Sequence, residues 1–438
     1  MTSQRLTPRR ASGGPLGQSR GLLIACIRRP LGDRSGRDHK QSGSARDAAP
    51  PQTLRRAQES IMSSESPLRA LLLLTFTWLA LESQDSRADD VSTVWVAANG
   101  TDDPACGAKS RPCRSISAGI ANASRGDKVM VGPGKYGELN FDGDFTDPGE
   151  EQADPDSGCI ICIQKSVRLL STDGADVTVI ESLGDLSDPR LTNTVLITAD
   201  GAVFGSYRRG FTFVNPKPTA LRVRGAAKVS IVGNVAVAGG ASQSGVGFEI
   251  DPGPGTSLVA DNVASHFVAA NFFIGGPGQV HFIGNTAVRG SGNGFAFGGR
   301  GHFVARNSAA NNITGFVVGC TACVVTGNVS SANLAFGMQI ANDGSQGLAA
   351  LQRNTIVGNA AGIQVRLEAD ARINNNDIYG NEMCGVRNES ARVIDATGNY
   401  WGAATGPGPD PADQAGPGSA CDFAGSVTIV APFRSAPK

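Results

Sequence analysis

The chain has 438 residues, with 39 Lys+Arg balanced by 39 Asp+Glu, and it carries 57 glycines and 23 prolines. The balanced charge gives no global basic field for nucleic acid, and the frequent Gly and Pro disfavour stacked helices. Residues 1–88 hold 14 Lys/Arg and 7 Asp/Glu, so the remainder holds 25 and 32 and is net −7.

Residues 1–61 are rich in Arg, Gly, Ser and Pro without a periodic apolar pattern. They read as disordered, or as translated sequence upstream of the true start. Met62 opens a secretion signal: Arg69, the apolar run Ala70–Leu81, then small residues at Ser86 and Ala88 with cleavage before Asp89. The run is too short to span a bilayer, which takes about 20 residues. Residues 62–88 are thus expected to be a signal peptide, and residues 89–438 a single exported domain, periplasmic or secreted.

Past the leader, eight cysteines remain in close pairs: Cys106 with Cys113, Cys159 with Cys162, Cys320 with Cys323, and Cys384 nearest Cys421. An even number fits an oxidising compartment, and disulfides or buried thiols are expected. The two C-x-x-C pairs lie too far apart in sequence to share a zinc ion, and no βαβ setting supports a redox motif. Between them and the first cysteines runs an acidic loop in which Asp142, Asp144 and Asp147 offer alternating oxygens to Ca²⁺. Ala153 stands at the twelfth position, so this is no EF-hand, and a solvated insertion is the competing reading.

From there the chain repeats. Asn stands at Asn234, Asn262, Asn285, Asn307, Asn328, Asn354, Asn376 and Asn399, with an apolar residue three before it in nearly every copy and a small or apolar one two after. Six copies of a second motif follow, among them Gly294-Phe-Ala-Phe and Gly337-Met-Gln-Ile. Period-two alternation over short runs of Val, Ile and Phe marks strands, and repeats of this length mark a solenoid. A unit of about 22 residues holds three short strands and their bends, stacked at about 4.8 Å. The expected architecture is all-β: a parallel β-helix of about ten coils, with the asparagines as a structural ladder that tolerates left-handed backbone and bonds from coil to coil. Phe248, Phe272, Phe295 and Phe316 share the coil spacing and are expected as an interior stack.

Both ends carry a resemblance. Val94–Thr101, Pro112–Ser117 and Gly126-Asp-Lys-Val-Met-Val-Gly-Pro-Gly-Lys-Tyr136 resemble the entrance of right-handed parallel β-helix (pectin-lyase-like) proteins, where a strand and a short capping helix start the first coil. Asn399-Tyr400-Trp401-Gly402 and Val427–Phe433 resemble their last coil and exit strand. The resemblance covers residues 91 to 434 and implies the fold; that fold hosts lyases, hydrolases, epimerases and binders alike.

A lyase of this kind needs a base and a cation to neutralise a uronate. His281, His302, Arg289, Arg300 and Arg306 lie close in sequence and, stacked, would form a cationic strip suited to an acidic polysaccharide. His302 lies five residues before its Asn and His281 four, an offset that turns one of them inward. Carboxylates do not cluster beside them, and the superfamily's hydrolase elements are missing. The sequence therefore favours an exported scaffold or glycan-associated protein with no demonstrable active site. The alternative is a lyase or epimerase acting on an acidic polymer, with Ca²⁺ as the conceivable cofactor.

Overall fold

The computed structural model describes residues 91–140, 142–182, 188–216, 218–239, 245–344, 347–423 and 425–438. The leader and signal-peptide assignments at residues 1–61 and 62–88 lie outside them. Among the described residues no helix is long and apolar enough to cross a membrane.

Each repeat places one strand in each of three parallel sheets, as in Gln279–Ile283, Thr286–Val288 and Asn293–Phe297. The first sheet has thirteen strands, from Thr93–Val96 to Val427–Ile429. The second has ten, from Gly134–Gly137 to Asp377–Tyr379, and the third ten, from Cys159–Ile163 to Val386–Asn388. This is the right-handed parallel β-helix.

Register decides what fills the interior. Phe248, Phe272, Phe295 and Phe316 pair in sequence across the third sheet, and all four are fully buried. Their rings stack with centroids 5.0, 5.1 and 4.8 Å apart. Each ring removes roughly 150–250 Å² from water, so the column is a principal source of cohesion between coils.

The asparagine ladder occupies the corner between sheets one and two. Each Nδ2 donates to the next Asn Oδ1 at 2.9 to 3.1 Å, from Asn234 through to Asn399. The same Oδ1 accepts the backbone N–H of the preceding ladder Asn, at 3.0 Å for Asn234 to Asn262. The left-handed residue is the one before each ladder Asn, not the Asn itself: Asp261, Arg306, Arg353 and Asn375 have φ of 53 to 60°, and glycines fill the other places. The turn bends one residue early so that the amide can lie along the stack.

Both ends are closed. Trp95 N–H donates to Gly107 O at 2.8 Å and Ala97 N–H to Cys113 O at 2.9 Å, covering the edge of the first strand with the loop tied by the Cys106–Cys113 disulfide. The helix Ile116–Asn122 follows, its Ser115 cap accepting from Ala118 N–H, with Ile116, Ala118 and Ile120 against the first coil. At the other end Trp401 is fully buried, and Cys384–Cys421 ties the last coil to the exit loop. Cys159–Cys162 and Cys320–Cys323 are also disulfides.

Candidate functional site

The cationic strip is not assembled. His281 lies opposite Phe303 in register, so His302, one residue earlier, faces the other way. It is buried at 1% exposure. Val280 N–H donates to its Nδ1 at 3.2 Å and its Nε2 sits 2.7 Å from Gly298 O, so the ring is neutral with the proton on Nε2. Burial holds it below its ordinary value. His281 points outward and packs edge-on to Phe303 at 5.9 Å. Arg306 sits at the corner between sheets one and two, Arg289 at that between two and three, and Arg300 between three and one; all are exposed. Three corners of a triangular cross-section cannot line one groove.

The acidic loop does not gather a cation site either. Asp142 and Asp147 both accept from Asn140 Nδ2, and Asp144 Oδ1 accepts from Thr146 N and Oγ1 at 2.8 Å. Each of the three thus has at least one oxygen engaged within its own loop. Among the described residues, the one trio of His, Cys or acidic donors close enough to share an ion is Asp102, Cys106 and Cys113, and its cysteines are joined in a disulfide.

Sequence reasoning missed a second polar ladder, at the corner between sheets two and three. Asn312, Asn333, Asn359 and Asn381 pass Nδ2-to-Oδ1 bonds at 3.3, 2.8 and 3.0 Å. Asn271 joins at the front, donating to Asn312 at 2.9 Å, and Asp413 ends the row, accepting from Asn381 Nδ2 at 2.6 Å. Burial pushes the Asp413 carboxyl up, against the pull of the Asn381 donors. The ladder crowds the glycines that open the motif at Gly294, Gly315, Gly337 and Gly362, together with the backbone of the next coil: a Cβ at Gly337 would lie 2.7 Å from Asn359 Nδ2 and 2.8 Å from Gly362 O, and one at Gly315 2.8 Å from Asn333 Nδ2 and 2.6 Å from Gly337 O. A spacing of five after the first ladder, from Asn307 on, was the available signal.

What the fold does bring together lies on the outer face of the third sheet. Arg222, Glu249, Phe273, Ala296, Val317, Gln339, Gln364 and Arg387 are successive in register. At its far end the column is hydrogen-bonded: Gln339 Nε2 donates to Gln364 Oε1 at 2.6 Å, Gln364 Nε2 to Glu389 Oε1 at 3.0 Å, and Arg387 Nε to the same oxygen at 2.7 Å. Arg387 also lies over the exposed Phe423 ring at 4.8 Å. Beside it Ala341, Arg366, Leu367 and Glu389 line a depression of about 350 Å³. At the near end Arg222 pairs with Glu249 at 3.2 Å. The exposed Phe273, 42% accessible, begins an apolar middle. Exposed Ile313, Leu334 and Met383 edge the face on the second-ladder corner.

The chemistry of this face suits binding. Amides, a carboxylate and a guanidinium group gather at the far end of the column, groups that hydroxyl-rich ligands bond, with the Phe423 ring beside them and Phe273 in the column's middle. Glycoside hydrolysis takes two carboxylates about 5–9.5 Å apart. Along this column Glu249 and Glu389 are six strands apart, on the order of 30 Å at the strand spacing.

No protein-family model matches the chain, and no curated protein matches it. Solved structures similar to it include the A-module of the Azotobacter vinelandii mannuronan C-5 epimerase AlgE6, at 17% identity over 74% of this chain and 94% of that one, TM-score 0.40. Pectate lyase Pel9A is 14% identical over 80% of each chain, TM-score 0.40. The periplasmic alginate epimerase AlgG is 14% identical over 71% of this chain and 77% of that one, TM-score 0.38. At these values the likeness concerns the solenoid alone.

Proposed function

We propose that this chain is an exported glycan-binding β-helix, and that the glycan lies along the outer face of the third sheet. The observation that carries the reading is the continuous file Gln339–Gln364–Glu389–Arg387 beside the Arg366 depression. Strands recur about every 4.8 Å, comparable to the advance of one sugar along an extended glycan, so successive residues of a polymer would meet successive coils. Four disulfides favour an oxidising compartment and so export. Binding without turnover accounts for the face better than elimination does, because His302 is enclosed and the arginines are dispersed.

The test is calorimetric titration of the purified domain against a panel of neutral and acidic oligosaccharides, with ultraviolet absorbance followed for an unsaturated product. A ligand should emerge whose affinity falls about tenfold or more in Gln364→Ala and Arg387→Ala, the scale of one lost hydrogen bond to a charged or amide group. A binder insensitive to both variants would move the site elsewhere. A growing absorbance would replace binding with lyase chemistry.

A further inference from the structure

The outer faces of the three sheets differ in what they turn to solvent. Sheet three is polar at both ends of its column, and sheet two presents small side chains such as Val235, Thr286 and Ser308. Sheet one presents larger apolar ones. Leu258, His281, Phe303 and Val324 are successive in register, with Leu258 and Phe303 at 37% and 38% exposure. Two residues further along the same strands stand Ala260, Ile283 and Ala305, which keep the surface low beside the larger groups. From Val203 to Ala350 the column holds no lysine, arginine or carboxylate.

Its two ends carry charge, and they are unlike. Towards the capped end Val203 is followed by Arg168 and then Lys128. Towards the other, Ala350 is followed by Arg372 and then Asp395. Asp395 Oδ1 accepts from Asn374 Nδ2 at 3.0 Å and Thr397 Oγ1 at 2.8 Å, while Oδ2 lies 3.8 Å from Arg372 Nε, a loose contact.

The arrangement is self-complementary. Ten successive strands of sheet one run from Arg168–Ser171 to Val393–Asp395, and the line between the His281 and Phe303 strands leaves five on either side. Arg168 is on the fifth strand before that line and Asp395 on the fifth after it. A two-fold axis along the line, parallel to the strands, sets a second rod antiparallel on the first with the two faces in contact. Phe303 then meets the partner's His281, Val324 meets the partner's Leu258, and Arg168 meets the partner's Asp395 at both ends. An axis along the rod would instead lay Arg168 on the partner's Arg168 and Asp395 on the partner's Asp395, which like charge disfavours.

The face is also large enough. Ten strands span about 43 Å at the strand spacing, and a strand of about five residues is about 16 Å long. Two such faces cover on the order of 1,300 Å², within the range of stable protein–protein interfaces. An apolar strip of this length on an isolated rod is otherwise a liability in water.

We propose that the outer face of sheet one is the interface of an antiparallel homodimer, centred on His281 and Phe303 and closed at each end by Arg168 against the partner's Asp395. Sheet three stays uncovered in this pairing, so the dimer stands apart from the glycan reading.

The test is sedimentation equilibrium of the whole exported chain from about 1 to about 100 μM, where an interface of this size is expected to associate. The mass should rise to that of two chains. Leu258→Asp and Phe303→Asp, both at exposed positions, should remain monomeric with unchanged circular dichroism. Arg168→Glu and Asp395→Lys should each weaken association about tenfold or more by setting like charges together. Mixed in equal amounts, these two variants should associate as the wild type does, because the mixed dimer has opposite charges at both ends. A monomer at every concentration would leave the face to a partner of another kind and overturn the proposal. A dimer indifferent to both aspartate variants, or a mixture no tighter than its components, would overturn it as well.

Discussion

His281 and Phe303 face each other across adjacent strands, so the histidine one place before Phe303 points the opposite way. In a period-two element one residue of offset exchanges solvent for core. Removing the buried ring should therefore cost more than removing the exposed one. His302→Ala strands the Val280 N–H and leaves a void, an expected loss of about 1–3 kcal/mol, whereas His281→Ala should stay within about 0.5 kcal/mol. Denaturant midpoints of the two variants read this directly. The pH dependence has a sign as well. Burial holds His302 below its ordinary 6.5, so the unfolded chain takes the proton first and stability drains away as pH falls below about 6.5. His302→Ala should remove that part of the acid sensitivity. The offset was visible in the sequence as five residues against four before the ladder Asn; which of the two histidines turned inward was not, because that depends on where the strand begins.

At the scale of the element, the two ladders differ in legibility for a physical reason. The first repeats at every coil from Asn234 to Asn399 because its corner turns the same way each time, and an invariant turn leaves an invariant residue. The second is interrupted: Phe267 and Gly290 stand at two of its places, and Asn271 reaches in from the following strand to meet Asn312. The Gly-Phe motif was readable as a column, but the crowding that demands its glycine comes from the next coil's backbone and from Asn side chains five residues beyond the first ladder, across a corner. Gly337→Ala tests that reason. The added methyl would lie 2.6 Å from Ile356 Cγ2 and 2.7 Å from Asn359 Nδ2, contacts that force the ladder aside at about 1–3 kcal/mol. Gly358→Ala is the contrast, at φ +64° with nothing within 4 Å of the new atom, so it meets backbone strain alone, about 1–2 kcal/mol. The two should be separable by hydrogen exchange: Gly337→Ala should expose the Asn333 and Asn359 amides, and Gly358→Ala should leave them protected.

For the whole molecule, the solenoid makes stability a sum of neighbour contacts, so the ends decide where unfolding starts. The rod was legible because each coil repeats the same apolar alternation, and its ends because their motifs resemble those of other β-helices. The face on sheet three was not, since Gln339, Gln364 and Glu389 lie on three coils and only register aligns them. At the C-terminal end the Cys384–Cys421 disulfide closes a loop of 37 residues, whose entropy in the unfolded chain corresponds to about 4 kcal/mol. In a two-state globule that loss would spread over every amide. Here it should not, because coils near Phe295 and Phe316 are held by their own neighbours. Replacing both cysteines by serine should speed exchange at Val386–Asn388 and Val427–Ile429, while amides of Asn293–Phe297 keep their wild-type rates. Equal acceleration along the rod would mean that the coils unfold as a single unit, and neighbour-by-neighbour cohesion would then be the wrong description of this protein.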